Sequence, residues 1–205
     1  MPLIQVIEHS ADVKAYVWKV EESIEELLAG LCLRVETQKR LQGMKSQVHQ
    51  KGFLAIRQLL NGIGYSDFDL LYDGNGKPYL IDGKFISISH SFEYATIIVG
   101  NVSVGIDVEK IREKIFRIAE KFCNDEELLF VGKSEHPINV LTKIWCAKEA
   151  MFKMCDSKGI SFKDHMHVTL DGKASVKGDS INKDFCYYTV NLSGFTLVYA
   201  IEQLK

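Results

Sequence analysis

The chain has 205 residues, 46% apolar and 25% charged, with 25 Lys and Arg against 27 Asp and Glu for a net charge of -2. This composition fits one or two globular domains and excludes disordered, collagen-like and low-complexity chains. No overall basic field is present to recruit nucleic acid, and no apolar run approaches the ~20 residues that span a bilayer.

Glu8 and Asp12 come early and there is no apolar h-region, so no signal peptide is expected. Cys32, Cys123, Cys146, Cys155 and Cys186 are odd in number, widely spaced and without a CxxC pair. They read as reduced thiols of a cytoplasmic chain, not as a zinc cage.

In chain order, Lys14–Val20 is rich in β-branched and aromatic residues and predicts a strand. Ser23–Val35 predicts a helix, with Ser23 as N-cap, Glu26 three residues on and an apolar stripe of Ile24, Leu27, Leu28 and Leu31. Residues 38–51 are polar and basic, and Phe53–Leu60 predicts a helix stopped by Asn61-Gly62. Asp73-Gly74-Asn75-Gly76 marks a turn. Phe85–Ser91 with Tyr94–Val99 predicts a hairpin, and Val102–Glu109 a further strand. Helices are expected over Glu113–Phe122, Asp125–Val131 and Ile138–Cys155, and strands near Met166–Leu170, Phe185–Asn191 and Phe195–Ile201.

The order strand, helix, hairpin occurs twice. Ala15–Trp18 stands to Ile106–Glu109, Phe53–Arg57 to Trp145–Glu149, and Tyr94–Val99 to Phe195–Ala200, at offsets of 91, 92 and 101 residues. The expected architecture is an α+β (α/β) chain of two similar halves, 1–101 and 102–205, duplicated about a pseudo-twofold axis. The cleft between them is the expected ligand site, with Arg57 and Glu149 approaching it from opposite sides. A monomer is expected.

Three groups of residues can carry chemistry. In Val104-Gly-Ile-Asp107-Val-Glu109 the alternation of a strand puts Asp107 and Glu109 side by side on one face. Such a pair suits a magnesium ion, which one or two carboxylates plus phosphate oxygens usually hold; a solvated acidic face explains it equally. In Trp145-Cys-Ala-Lys148-Glu149-Ala-Met-Phe-Lys153 a helix aligns 145, 149 and 153 on one stripe. Glu149 and Lys153 form either a surface ion pair or a third metal carboxylate with a phosphate-binding lysine. Ile86-Ser-Ile-Ser89-His90-Ser91 offers hydroxyl and imidazole donors at a strand end, where a half-exposed His is also ordinary. Lys39, Arg40, Lys45, Lys51, Arg57 and Lys77 are the remaining phosphate candidates. Together these residues fit a magnesium-bound pyrophosphate.

In this order the blocks resemble those of the surfactin-type, two-half 4'-phosphopantetheinyl transferases. Gly76-Lys77-Pro78 is similar to the family's GKP, Ser87-Ile-Ser89-His90-Ser91 to its N-x-SHS, and Gly105-Ile-Asp107-Val-Glu109 to its GxDxE. Trp145, Lys148-Glu149-Ala150 and Lys153 match its WxxKEAxxK. Phe122-Cys-Asn-Asp-Glu126 is similar to its FFS/TxxE, and Gly159–Phe162 to its GLS segment. Ser87 stands where the family has Asn, Cys123-Asn124 replaces Phe-Ser/Thr, and Gly52 falls where many members have a basic residue, with Lys51 next to it.

The resemblance implies transfer of 4'-phosphopantetheine from coenzyme A to a serine of an acyl- or peptidyl-carrier protein, with Mg²⁺, releasing 3',5'-ADP. It implies Asp107, Glu109 and Glu149 as metal ligands, Glu149 as base, and Lys153, His90 and Ser89 on the pyrophosphate. Lys77, Lys51 and Arg57 then face the adenine and 3'-phosphate, and the carrier docks near Phe116–Val131. The competing classes are a Mg²⁺-dependent nucleotide pyrophosphate hydrolase and a non-catalytic coenzyme A- or carrier-binding relative.

Overall fold

A computed structural model describes residues 3–156 and 159–203. The chain divides into two compact units, the first ending at Val102 and the second opening at Ser103.

The first unit contains β1 (Leu3–Glu8), β2 (Val13–Lys19), β5 (Phe85–Ser91) and β6 (Tyr94–Gly100) in an antiparallel sheet of order β1-β2-β6-β5. A separate two-stranded ribbon pairs β3 (Leu70–Tyr72) with β4 (Pro78–Leu80), and the Asp73–Gly76 turn closes it. Helices α1 (Ile24–Leu28), α2 (Val35–Gly43) and α3 (Gln47–Gly62) complete the unit. Its core gathers Trp18, Leu27, Leu54, Leu60, Leu70 and Ile97.

The second unit has one antiparallel sheet, ordered β7-β11-β10-β9-β8, from β7 (Val104–Lys110), β8 (Met166–Val168), β9 (Lys173–Gly178), β10 (Ile181–Leu192) and β11 (Phe195–Gln203). A 3-10 turn (Glu113–Ile118) leads into α4 (Ala119–Phe122), α5 (Asp125–Gly132) and the long α6 (Pro137–Phe152). Phe122, Leu141, Ile144, Met151, Phe185 and Val198 lie at its core.

The repeat is present at the level of register. β2 pairs with β6 as Val13↔Gly100 through Lys19↔Tyr94, and β7 with β11 as Val104↔Ile201 through Lys110↔Phe195. The hairpin pairs Phe85↔Gly100 and Ser91↔Tyr94 in the first unit, Cys186↔Ile201 and Leu192↔Phe195 in the second. The offsets are the 91 and 101 residues of the sequence repeat, so each unit has the same strand, helix, hairpin order.

Local differences from the sequence expectations have local causes. The helix starting after Ser23 has its capping box, Glu26 N–H to Ser23 Oγ at 3.2 Å and Ser23 N–H to Glu26 Oε2 at 2.7 Å. It ends at Leu28 and not Val35, because Gly30 takes a positive φ of 76°. The polar 38–51 stretch lies mostly in helices α2 and α3, with Lys39, Arg40 and Lys45 exposed and Lys51 half-buried. The expected helix over Glu113–Phe122 is a 3-10 turn followed by a single α-turn, and α6 stops at Phe152, three residues short of Cys155. β1, the β3–β4 ribbon and β9 are strands the sequence pattern did not mark. Among the described residues no helix is long and apolar enough to cross a membrane.

Candidate active site

On β7 the side chains alternate as expected. Val104, Ile106 and Val108 face one way, and Gly105, Asp107 and Glu109 face the other. Helix α6 packs on the Gly105 side: a Cβ at Gly105 would stand 2.0 Å from the Ala150 carbonyl oxygen and 2.9 Å from Met154 Cγ. Only a glycine lets the helix backbone descend this far onto the strand. The close approach brings Glu149, the residue before Ala150, beside the acidic face of β7.

The electrostatics register this. Burial first, then the negative charge of Asp107 and, less strongly, that of Glu109, push the Glu149 carboxyl up to about 7, against an opposing pull from Lys153. Lys153, at the C-terminal end of α6, reaches back to β7: its ammonium donates to Asp107 Oδ1 at 2.9 Å and to the Ile106 carbonyl at 2.7 Å. Lys153 is therefore not merely half of a surface pair with Glu149; it ties the helix end to the strand.

The donor set is made of hard carboxylate oxygens with negative charge in excess, the chemistry a magnesium ion takes. The expected three-carboxylate cluster is not preformed: among the described residues no three His, Cys, Asp or Glu side chains stand together in a metal-holding arrangement. Asp107 Oδ1 accepts from the Lys153 ammonium instead. The residues fit the half of a magnesium site that a protein supplies when phosphate oxygens supply the rest.

Lys148 does not join this acidic face. It is fully buried, and its three N–H groups go to the Phe122 carbonyl (2.7 Å), Glu127 Oε2 (2.6 Å) and the Phe162 carbonyl (2.8 Å). Burial lowers its pKa despite the opposing pull of Glu127. Glu127 is equally enclosed: Oε1 accepts from Val168 N–H and Oε2 from Asn124 N–H, both at 2.9 Å. The sequence reading ended this block at Glu126; the acid that is engaged is Glu127. Asn124-x-x-Glu127 is a capping-box spacing, the signal that could have found it.

Trp145 lies one turn before Glu149 on the same stripe of α6. Phe122 meets its indole edge-on at 5.0 Å and Phe162 tilts against it at 5.5 Å. These three rings, with Ile118, Lys121 and Ser161, line an open groove of about 420 Å³ on the second unit. Sequence reasoning put Trp145 on the stripe of Glu149 and Lys153 but did not bring it together with Ser161 and Phe162.

The first unit holds the remaining candidates. His90 and Ser89 lie on β5, with Ser89 buried. The His90 ring packs over α3 at Gly52, where a Cβ would stand 2.7 Å from His90 Nδ1, and its centroid is 6.2 Å from that of His49. Gly52 is thus a spacer for the imidazole. Lys51 is half-buried on α3. Lys77 lies in the β3–β4 turn, its backbone N–H donating to Asp73 Oδ1 at 2.9 Å. Arg57 departs from expectation. It is buried, paired with Asp67 at 3.3 Å, donates to the Phe53 carbonyl, and lies over the Phe53 ring at 3.6 Å. Its guanidinium is spent within the first unit, joining α3 to the segment before β3, so a role on a phosphate is not supported.

The 4'-phosphopantetheinyl transferase superfamily model matches residues 103–200, almost the whole second unit. The chain is 31% identical over 107 residues to the 4'-phosphopantetheinyl transferase gsp of Aneurinibacillus migulanus, covering 50% of this chain and 45% of that protein. It is 34% identical over 94 residues to the 4'-phosphopantetheinyl transferase psf-1 of Bacillus pumilus, covering 44% and 40%. It thus spans about half the length of the curated relatives it matches. A crystal structure of Thermotoga maritima holo-[acyl-carrier-protein] synthase aligns with 51% of this chain and 64% of its own, at 15% identity and a TM-score of 0.39. The superfamily match falls on the unit that holds Asp107, Glu109, Glu149 and Lys153, and it is through that unit that the chain is similar to the 4'-phosphopantetheinyl transferase superfamily.

Proposed function

We propose that this protein transfers the 4'-phosphopantetheine group of coenzyme A to a serine hydroxyl of an acyl- or peptidyl-carrier protein in a Mg²⁺-dependent reaction. The observation that carries the reading is the β7–α6 contact at Gly105, which sets Glu149 and Lys153 against Asp107 and Glu109. Asp107, Glu109 and Glu149 are the residues to hold the metal, which when bound supplies Lewis-acid neutralisation of the pyrophosphate.

In this reading Glu149 accepts the serine proton, a task suited to a carboxylate whose pKa is near 7. The serine oxygen forms its bond to the β-phosphorus as the bond to the departing 3',5'-ADP oxygen breaks. Lys153 neutralises charge on the leaving side. In the first unit Ser89 and His90 donate to the pyrophosphate, and Lys51 and Lys77 serve the adenine and 3'-phosphate. The carrier meets the 116–131 region, where Phe116, Ile118, Leu129 and Phe130 are exposed among the exposed basic residues Arg112, Lys114, Arg117, Lys121 and Lys133. The basic residues can meet an acidic partner and the apolar ones its contact face, with the acids Glu113, Glu120, Asp125 and Glu126 exposed among them. A monomeric, cytoplasmic protein completes the proposal.

The test incubates apo-carrier proteins with this protein, coenzyme A and Mg²⁺. Supporting outcomes are one phosphopantetheine added per carrier and one 3',5'-ADP released. Nucleotide release without any carrier would favour a pyrophosphate hydrolase instead.

A further inference from the structure

Three segments that supply none of the metal or phosphate ligands meet at one atom. Phe122–Glu127, Lys148 and Gly159–Phe162 are far apart in sequence, yet the Lys148 ammonium donates to the first through the Phe122 carbonyl and Glu127 carboxylate and to the third through the Phe162 carbonyl. An ammonium has three N–H donors, and all three are used. Both residues whose carbonyls it holds contribute rings to the groove beside Trp145. Trp145 shares its helical stripe with Glu149 and Lys153, so one wall of the groove stands a single helical turn from Glu149.

We propose that Lys148 is a positioning residue whose buried ion pair with Glu127 fixes the Phe122 and Phe162 walls of this groove, and so sets substrate affinity without touching substrate. The charge itself is dispensable for folding if both partners are replaced together: a buried pair exchanged for apolar or neutral groups is often no less stable, whereas removing one partner strands the other. What the exchange loses is directional, since a thioether cannot hold two carbonyls at a set spacing. The kinetic part of the inference rests on the transferase reading; the geometric part does not.

The experiment compares wild type, Lys148→Met, Lys148→Met with Glu127→Gln, and Phe162→Ala, at a temperature where far-UV circular dichroism shows each fully folded. In a Trp18→Phe background Trp145 is the sole tryptophan, and acrylamide quenching reports how firmly its ring walls hold. The double variant should regain the melting temperature lost in Lys148→Met. It should still show Trp145 quenched at least twofold more readily than in wild type. In the transfer assay its KM for coenzyme A or carrier should rise about tenfold with kcat within threefold, and Phe162→Ala should reproduce that split. Unchanged Trp145 quenching in the folded double variant overturns the clamp, whatever the activity. Increased quenching with wild-type KM overturns the link from clamp to affinity. A wild-type protein that transfers nothing to any carrier, with quenching changed as expected, leaves the clamp standing and counts against the transferase reading alone.

Discussion

At Glu149 burial and two neighbouring carboxylates work in the same direction, raising its pKa from 4.5 to about 7. The folded chain therefore binds this proton more tightly than the unfolded chain. Stability falls as pH rises between these values, and the loss persists in full above them. Glu149→Gln removes the loss. Without metal the variant should be more stable than wild type at pH 8, by about 1–3 kcal/mol given the size of the shift, and equal to it at pH 4. Urea unfolding in EDTA at both pH values measures this, and equal stabilities at pH 8 would show that burial and the neighbouring acids do not hold the Glu149 carboxyl up. In turnover the same variant should lose roughly 10²-fold, as should Asp107→Ala, the scale of a lost charge-stabilising group. Lys153→Ala should weaken coenzyme A binding as well as turnover, by calorimetry and initial rates. At this scale Asp107, Glu109, Glu149 and Lys153 were legible in the sequence because strand alternation and helical spacing fix which side chains share a face. Arg57 was not. A basic residue on an amphipathic helix gives no sign that Asp67, ten residues on, waits in the core to take its charge.

Two glycines control how closely helices meet strands. Gly105 has no room for a Cβ because α6 backbone lies in the way. Gly105→Ala must push the helix off β7, so it should destabilise the protein by about 3 kcal/mol, the upper end for overpacking. Glu149 would also move from Asp107 and Glu109, and metal-dependent turnover should fall further than stability alone accounts for. Gly52 differs, because the atoms in its way belong to the His90 ring and not to backbone. Gly52→Ala gains about 1 kcal/mol of helix propensity against the cost of displacing the ring. Thermal unfolding should find it within about 1 kcal/mol of wild type, while coenzyme A affinity drops at least fivefold; unchanged affinity would remove His90 from the phosphate site. At the element scale the long α6, the 85–99 hairpin and β7 could be read from periodicity and turn residues. The end of α1 at Leu28, the strands β1 and β9, and the 3-10 turn could not. The first is decided by the backbone at Gly30, and β1 and β9 by pairing with their neighbouring strands, β2 for β1 and β8 and β10 for β9, which periodicity within a segment does not show.

Over the whole molecule, the repeat offsets of 91 and 101 residues turn out to be strand registers, equal in both units. A duplicated register survives divergence because a slip by one residue would turn every side chain to the wrong face. The residues on that frame have diverged: Arg57 of α3 closes an internal ion pair, while Glu149, its counterpart on α6, faces the acids of β7. The duplication was thus legible from pattern alone, whereas the division of labour between the units depended on side-chain partners. The measurement that bears most directly on the central claim is intact-mass spectrometry of a panel of apo-carrier proteins after incubation with this protein and coenzyme A, with Mg²⁺ and in parallel with EDTA. The account predicts a mass gain of one phosphopantetheine on at least one carrier with Mg²⁺ and none in EDTA. No gain on any carrier, or an undiminished gain in EDTA, would contradict it.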